Sequence, residues 1–309
     1  MTILDAIGQT PLVELRRIPP AESARVLVKL ESANPTGSMK DRMVLAAINA
    51  ADADGRLRQG GTVVEYTGGT TGVSIAFVCA AKGYRARIVF SDAFSPDKGV
   101  MMQALGSEVT VIPSQGGGIT KAVIEGMIAV AKQLSSQPGH WWFDQLNNRD
   151  GIQGYLPMGE EIWQQSGGRV DAFVHSVGTA HSLHGTARGL RAHNPKVRVI
   201  AVEPAESAVL AGGAPGSHGI DGIGIGFVPP LWEPHAVNEL MAVSTADAET
   251  MARRLAAEEG IFAGTSSGAN VVDALRVARQ LGPQATVATL AVDSGTRYLS
   301  TDLFRRPKS

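Results

Sequence analysis

The sequence predicts an α/β protein in which mainly parallel sheets carry helices on both faces. Three observations predict it. Short apolar runs alternate with helix-length segments throughout the 309 residues. Most of those runs, such as Val26-Leu27-Val28-Lys29-Leu30, are rich in Val and Ile without polar alternation, as strands covered on both faces are. Glycine-rich segments follow strands, and in parallel sheets ligands bind beyond the carboxyl ends of the strands, so these segments can face one cleft.

In order along the chain, an apolar exit follows the Gly8-Gln9-Thr10-Pro11 turn, and a strand is expected over 26–30. A helix is expected over 39–53, filled by alanines and aliphatics and stopped by Gly55. Next come a strand over 62–66, a glycine loop over 67–72, a helix to about 82 and a strand over 85–90. A helix over 101–105, a strand over 108–112, a flexible Gly116-Gly117-Gly118 loop and a helix over 120–134 follow. Aromatic and amide residues over 140–154 read as a crossing between two domains. Beyond it lie a helix over 155–165, strands over 172–177 and 197–202, and a Gly/Pro-rich loop over 207–230, long enough to be functional. Helices over 245–259 and 269–281, a strand over 286–292 and a short last helix opened by Ser294 complete the chain. No repeat of fixed period occurs.

Composition narrows the classes. With 44% hydrophobic and 18% charged residues the chain is globular and buries a substantial core. Its formal net charge of −1 offers no field for nucleic acid or an anionic membrane. No apolar run approaches the roughly 18 residues of a membrane span. The first residues, Met1-Thr2-Ile3-Leu4-Asp5, lack the charged start and apolar core of a signal peptide, so a cytoplasmic location is expected. Cys79 is the single cysteine, which excludes an intrachain disulfide; its apolar helix makes it a buried, inert thiol.

Candidate chemistry centres on Asn34-Pro35-Thr36-Gly37-Ser38-Met39-Lys40-Asp41-Arg42. Pro35 and Gly37 make a turn, and Ser38 reads as a helix cap with Asp41 in the capping-box position. Lys40 then sits in the first helical turn, where the dipole disfavours an ammonium. An amine so placed gives up its proton more readily and suits a Schiff base; the same position also fits an ordinary exposed lysine. In Thr67-Gly68-Gly69-Thr70-Thr71-Gly72, between strand and helix, hydroxyls and free N–H groups suit a carboxylate, unless the loop is a plain glycine turn. Gly178-Thr179-Ala180-His181-Ser182-Leu183-His184-Gly185 also leads from strand to helix and suits a phosphate. His181 covers that phosphate, reaches toward a substrate or fills space; with His184 it makes a pair lacking a nearby third ligand, so no metal site is expected. Gly222-Ile223-Gly224-Ile225-Gly226 follows a loop, not a strand, and fails as a nucleotide motif. Gly264-Thr265-Ser266-Ser267-Gly268 fits the GxSxG pattern of serine hydrolases, but no histidine follows His235, so the Ser–acid–His order of those enzymes cannot be met.

The lysine segment resembles Asn-Pro-x-Gly-Ser-x-Lys-Asp-Arg of the cysteine synthase and cystathionine β-synthase family, pyridoxal-phosphate (PLP) enzymes of fold type II, at every fixed position. The resemblance runs from Ile7-Gly8-Gln9-Thr10-Pro11-Leu12-Val13 to Ser294-Gly295-Thr296-Arg297-Tyr298-Leu299-Ser300-Thr301, with the motifs in the family's order. It implies a tryptophan synthase β subunit-like fold. Its smaller, mobile, substrate-binding domain would span 1–12 and 35–148; the larger, of 13–34 and 149–309, would contact the cofactor's phosphate and pyridine. Lys40 becomes the catalytic Schiff-base lysine. Thr67, Gly68, Gly69 and Thr71 become the substrate-carboxylate loop, where the family has Thr-Ser-Gly-Asn-Thr-Gly. Thr70 replaces the Asn that contacts the cofactor ring, with a shorter donor. Gly178, Thr179, Ala180, His181 and Ser182 take the place of the Gly-Thr-Gly-Gly-Thr phosphate cup. Ser294 would hydrogen-bond the pyridine nitrogen, a neutral contact that favours β-chemistry over transamination. Gln145 would lie near the substrate carboxylate, Gly222 and Gly226 in the loop closing on the substrate amine, and residues 259–269 in a structural turn near the cofactor.

The activity so implied is PLP-dependent β-replacement on an O-activated L-serine, chiefly O-acetyl-L-serine, with sulfide through an aminoacrylate to L-cysteine. The alternatives are β-elimination, another nucleophile as in cystathionine β-synthase, or a non-catalytic metabolite-binding member. The partners implied are a second copy of the chain and the tail of a serine acetyltransferase in the cleft.

Overall fold

The computed structural model describes residues 1–114 and 121–305. The Gly116–Gly118 loop and the first residue of the helix expected from 120 lie outside them. In chain order the regular elements are β1 (Leu12–Glu14), β2 (Arg25–Leu30), α1 (Lys40–Ala53), β3 (Thr62–Tyr66), α2 (Thr70–Lys82), β4 (Arg85–Ser91), α3 (Pro96–Ala104), β5 (Glu108–Ile112), α4 (Lys121–Ser135) and β6 (His140–Trp142). They continue with α5 (Asp150–Gln153), α6 (Leu156–Gln165), β7 (Ala172–Ser176), α7 (His181–His193), β8 (Arg198–Pro204), β9 (Glu239–Val243), α8 (Thr245–Arg254), α9 (Thr265–Leu281) and β10 (Thr286–Ala291). Short 3₁₀ turns, the first of them Ile3–Ala6 ahead of β1, and among the described residues one π turn, Leu255–Glu259, accompany them. The chain divides into two compact units, Met1–Ile7 with Lys40–Gly154, and Gly8–Met39 with Tyr155–Ser309.

The first unit holds a four-stranded parallel sheet in the order β5-β4-β3-β6. Strand β3 is buried along its whole length, which is why its sequence shows no polar alternation. One face is covered by α4, whose Val123, Met127 and Ala131 pack against Val64, Tyr66 and Val89. On the other side α2 packs on β3 and β4, and α1 and α3 pack on α2. The stretch read as a domain crossing contributes structure to this unit: His140–Trp142 is β6, paired in parallel with Thr62–Val64 of β3.

The second unit holds a six-stranded sheet, β1-β2-β10-β7-β8-β9, parallel except for β1 against β2. Helix α9 lies on β10 and β7 and packs against α8, while α6 and α7 pack together. The core brings Val26, Val28, Val174, Ile200, Val202 and Val287 together with Ala274, Val277 and Ala278 of α9. Each such valine or isoleucine contributes about 1.5–3 kcal/mol by leaving water. Where α6 meets α7, Gly159 and Gly189 let the backbones approach: a Cβ on Gly159 would lie 2.4 Å from the Thr186 carbonyl oxygen. Lys29 is fully buried in β2 and pairs with Glu161 of α6 at 2.6 Å, its Nζ also donating to the Thr10 carbonyl and Gln165 Oε1. Among the described residues no helix is long and apolar enough to cross a membrane.

Candidate active site

In the first unit β3 and β6 are neighbours, so the loops leaving their carboxyl ends lie side by side. Gln145, three residues beyond β6, is clamped on every polar atom of its amide. Its Oε1 accepts the Thr71 hydroxyl at 2.8 Å, its Nε2 donates to the Tyr66 carbonyl at 3.2 Å, and its backbone N–H donates to Glu65 Oε2 at 3.0 Å. Within the loop the Gly69 N–H donates to Thr67 Oγ1 at 3.0 Å. Gly69 has φ +133°, and a Cβ there would meet Lys98 Cδ at 2.2 Å, so only glycine fits. Gly68 has its own neighbour: the Phe94 ring would stand 2.9 Å from an added Cβ. Thr70 and Thr71 open α2, where the first N–H groups have no intrahelical acceptor. Helix α1 begins at Lys40, one residue later than expected, and the Asp41 carboxylate accepts the Ser74 hydroxyl of α2 at 2.7 Å. This contact brings the turn bearing Lys40 alongside the start of α2.

Burial pushes the carboxyl of Glu65 up to about 8, against the N–H groups of Gln145 and Tyr66 that bind its oxygens. Cys79 is buried in α2, and burial pushes its thiol up to about 12, which leaves it protonated and inert.

In the second unit β2, β10 and β7 are adjacent and parallel, so their exits form one edge. The segment leading to Lys40 is stitched onto the exit of β10. The Met39 N–H donates to the Val292 carbonyl at 3.0 Å, the Ser294 N–H donates to the Gly37 carbonyl at 2.9 Å, and Ser38 forms a bridge with Asp293. Arg297 donates to the Thr36 carbonyl and, at 3.2 Å, to its hydroxyl. Gly37 adopts φ +76° with Ser294 Cβ 3.3 Å from where its own Cβ would stand. Ser294 caps the final turn, its Oγ accepting the Thr296 N–H at 3.3 Å and lying 2.8 Å from Thr296 Oγ1.

Beyond β7, residues 178–182 turn into α7. Gly178 leaves no room for a side chain, since a Cβ would stand 2.4 Å from the Gly222 carbonyl oxygen. Ala180 holds φ +71°, a left-handed conformation kept without glycine. His181 is buried and its Nδ1 lies 2.8 Å from Thr179 Oγ1. Ser182 Oγ lies 2.7 Å from Nε2 of the fully buried His175. The glycine loop of Gly222 to Gly226 rests on this turn through the Gly224 N–H, which donates to the Val177 carbonyl at 3.1 Å. Gly222, Gly224 and Gly226 all have positive φ, which accounts for their spacing. The Glu233 N–H donates to His184 Nε2 at 3.1 Å, and burial pushes that imidazole down to about 4, so it stays neutral.

Residues 3–293 match the family model for pyridoxal-phosphate dependent enzymes. A cysteine synthase of Staphylococcus aureus is 39% identical over 304 residues, 98% of this chain and 96% of that protein. The chain belongs to the pyridoxal-phosphate dependent enzyme family, in its cysteine synthase group. Among solved structures, O-ureido-L-serine synthase is similar with a TM-score of 0.91 and 38% identity, covering 100% of this chain and 96% of that one. A cysteine synthase of Entamoeba histolytica gives a TM-score of 0.90 and 36% identity over 99% of this chain and 91% of that one. Membership makes the protein an enzyme with PLP as cofactor, and its two sheets are those of fold type II.

Against this family frame, sequence reasoning missed the residues that support the loops. Glu65 and Phe94 stand behind the glycine loop of the first unit, and His175 and Asn270 behind the turn of the second. His175 is the one with a signal in the sequence: a histidine interrupting an otherwise apolar strand.

Proposed function

We propose that the protein catalyses β-replacement on O-acetyl-L-serine with sulfide, giving L-cysteine and acetate. The single observation that carries this reading is the unbroken lysine segment stitched to the exit of β10, ending in a neutral Ser294. The cofactor, when bound, supplies an electron sink for charge developing at the substrate α-carbon. A neutral serine at the pyridine nitrogen leaves that sink restrained, which favours chemistry at the β-carbon.

The residues present fit the cofactor. The first-turn N–H groups of α7, the hydroxyls of Thr179 and Ser182 and the closed cradle at Gly178 are complementary to a phosphate. In this reading Gly178, Thr179, Ala180, His181 and Ser182 hold the phosphate, Ser294 meets the ring nitrogen and Thr70 flanks the ring. Lys40 anchors the cofactor through its amine, then takes and returns the proton at the substrate α-carbon. Thr67, Gly68, Gly69, Thr71 and Gln145 bind the substrate carboxylate, and Gly222 and Gly226 close on its amine. The bond from the β-carbon to acetate breaks and a bond from the β-carbon to sulfur forms. A homodimer is the assembly proposed, checked by sedimentation.

The test is the visible spectrum of the cofactor-loaded protein. A band that shifts on adding O-acetyl-L-serine and returns on adding sulfide, with cysteine released, supports the reading. A band that never responds to O-acetyl-L-serine sinks it. A second reading, another nucleophile on the same activated serine, is favoured by Gly68 and Thr70 in the carboxylate loop; O-ureido-L-serine synthase is among the similar structures. It is supported if the band shifts but sulfide fails to restore it while another nucleophile does.

A further inference from the structure

Behind the turn that opens α7 lies a buried chain of hydrogen bonds whose direction is fixed. Asn270 of α9 is fully buried. Its Oδ1 accepts the Ser176 N–H at 2.7 Å, and its Nδ2 donates to the Leu290 carbonyl at 3.0 Å. These two backbone partners settle which end of the amide is oxygen and which is nitrogen. The same Nδ2 faces His175 Nδ1 at 3.2 Å, so Nδ1 accepts and Nε2 carries the hydrogen. Nε2 therefore donates to Ser182 Oγ, 2.7 Å away. With the imidazole acting as donor, the hydrogen of the Ser182 hydroxyl cannot be spent on His175. It is kept for another acceptor.

We propose that His175 and Asn270 are positioning residues that make the Ser182 hydroxyl an obligate donor to the cofactor phosphate. This rests on the phosphate being held at residues 178–182. A serine rotor is free to turn; a donor fixed behind it removes the one wasteful orientation, in which the hydroxyl would point back at the strand. The backbone on both sides of the relay is regular structure, β7 and α9, so its geometry is set by the core of the second unit.

The experiment titrates PLP into the full-length apoenzyme by fluorescence and records the ³¹P resonance of the bound cofactor, for His175→Phe, His175→Gln, Ser182→Ala and the double variant His175→Phe/Ser182→Ala. His175→Phe leaves the Ser182 hydroxyl in place but free to turn, and is expected to weaken PLP by up to about tenfold and to move the ³¹P resonance. His175→Gln, whose amide can present a donor where Nε2 stood, stays within about threefold of the parent. In the Ser182→Ala background the His175→Phe change adds about twofold or less, because nothing is left to orient. Equal losses with and without the Ser182 hydroxyl would reduce His175 to a packing residue and overturn the proposal. So would an unchanged PLP affinity in His175→Phe while Ser182→Ala loses it, an outcome that leaves the phosphate at α7. If His175→Phe does not fold, a His175→Gln loss as large as that of Ser182→Ala overturns it as well. An unchanged affinity in Ser182→Ala removes the phosphate from this turn, and the relay with it.

Discussion

The hydroxyl of Thr71 donates to the amide oxygen of Gln145 at 2.8 Å, joining the loop after β3 to the loop after β6. The other half of the amide is held by the Tyr66 carbonyl, so the Gln145 side chain has one orientation. Gln145→Leu keeps the volume and removes both bonds. It is expected to raise KM for the amino-acid substrate about tenfold with a smaller change in kcat, because a binding loop is loosened while Lys40 is untouched. Thr71→Val should raise it similarly. The double variant should be little worse than either single one in steady-state kinetics, since the two side chains share one bond.

Burial of Glu65 gives the fold a pH dependence whose sign follows from the raised carboxyl pKa. Its carboxyl is pushed up to about 8 in the folded protein against 4.5 for an unburied glutamate, so folding favours the protonated form. Between those values the unfolded chain binds fewer protons at this site, and stability falls as pH rises. The contribution is fully present below about 4.5 and lost once pH passes about 8. Urea unfolding across that window should show a decline that Glu65→Gln flattens. A parent profile identical to that of the variant would remove Glu65 as the cause.

Lys29 and Glu161 form a buried pair at 2.6 Å that ties β2 to α6. Removing one partner leaves a charge without its counterion, at a cost of about 3–5 kcal/mol. Lys29→Met and Glu161→Leu should each lower the unfolding free energy obtained from urea titration by that much. The double variant should recover most of the loss, because two apolar side chains strand no charge. A double variant as unstable as the sum of its parents would show that the bonds of Lys29 to Thr10 and Gln165, not the ion pair, hold these elements together.

Legibility in the sequence followed the range of the interactions. Strands β3, β7 and β10 read directly because burial on both faces leaves continuous apolar runs. Strand β6 did not: it has three residues, two of them tryptophan, and exists through pairing with β3, more than seventy positions earlier. β9 went unread for a related reason. Its residues are only partly buried along most of its length, so no continuous apolar signal marks it. The glycine-bearing loops were visible as turn chemistry, since positive φ leaves a mark on composition. Their supports were not. Phe94 against Gly68 and Asn270 against His175 meet only after the sheets have formed, and neither has a local pattern to announce it.

Ala180 occupies φ +71° where the cysteine synthase motif has glycine. A left-handed alanine costs about 1–2 kcal/mol, partly offset by the smaller entropy its unfolded chain has to lose. Ala180→Gly should therefore raise stability by about 1 kcal/mol in urea unfolding of the apoenzyme. PLP affinity should change little, since the N–H groups of the turn keep their directions. A destabilised variant would mean that the Ala180 methyl, which is buried, contributes more by packing than its backbone costs.

Gly68 stands where the same motif has serine, and Phe94 occupies the space that a side chain there would need. A Cβ at Gly68 would lie 2.9 Å from Phe94 Cε1 and 3.2 Å from Cδ1, inside van der Waals contact. The ring is held by Phe90, with centroids 5.7 Å apart, so it yields only by giving up that contact. Gly68→Ser should lower stability by about 1–2 kcal/mol and raise KM for the amino acid, as the loop is pushed from its hydrogen bonds. Phe94→Ala alone opens a gap over the loop. The combination Gly68→Ser/Phe94→Ala replaces one occupant of that space by another and should recover most of the lost affinity. Steady-state KM values for the four proteins decide it: no recovery in the double variant would mean that the serine is excluded by the loop's own backbone and that Phe94 is a bystander.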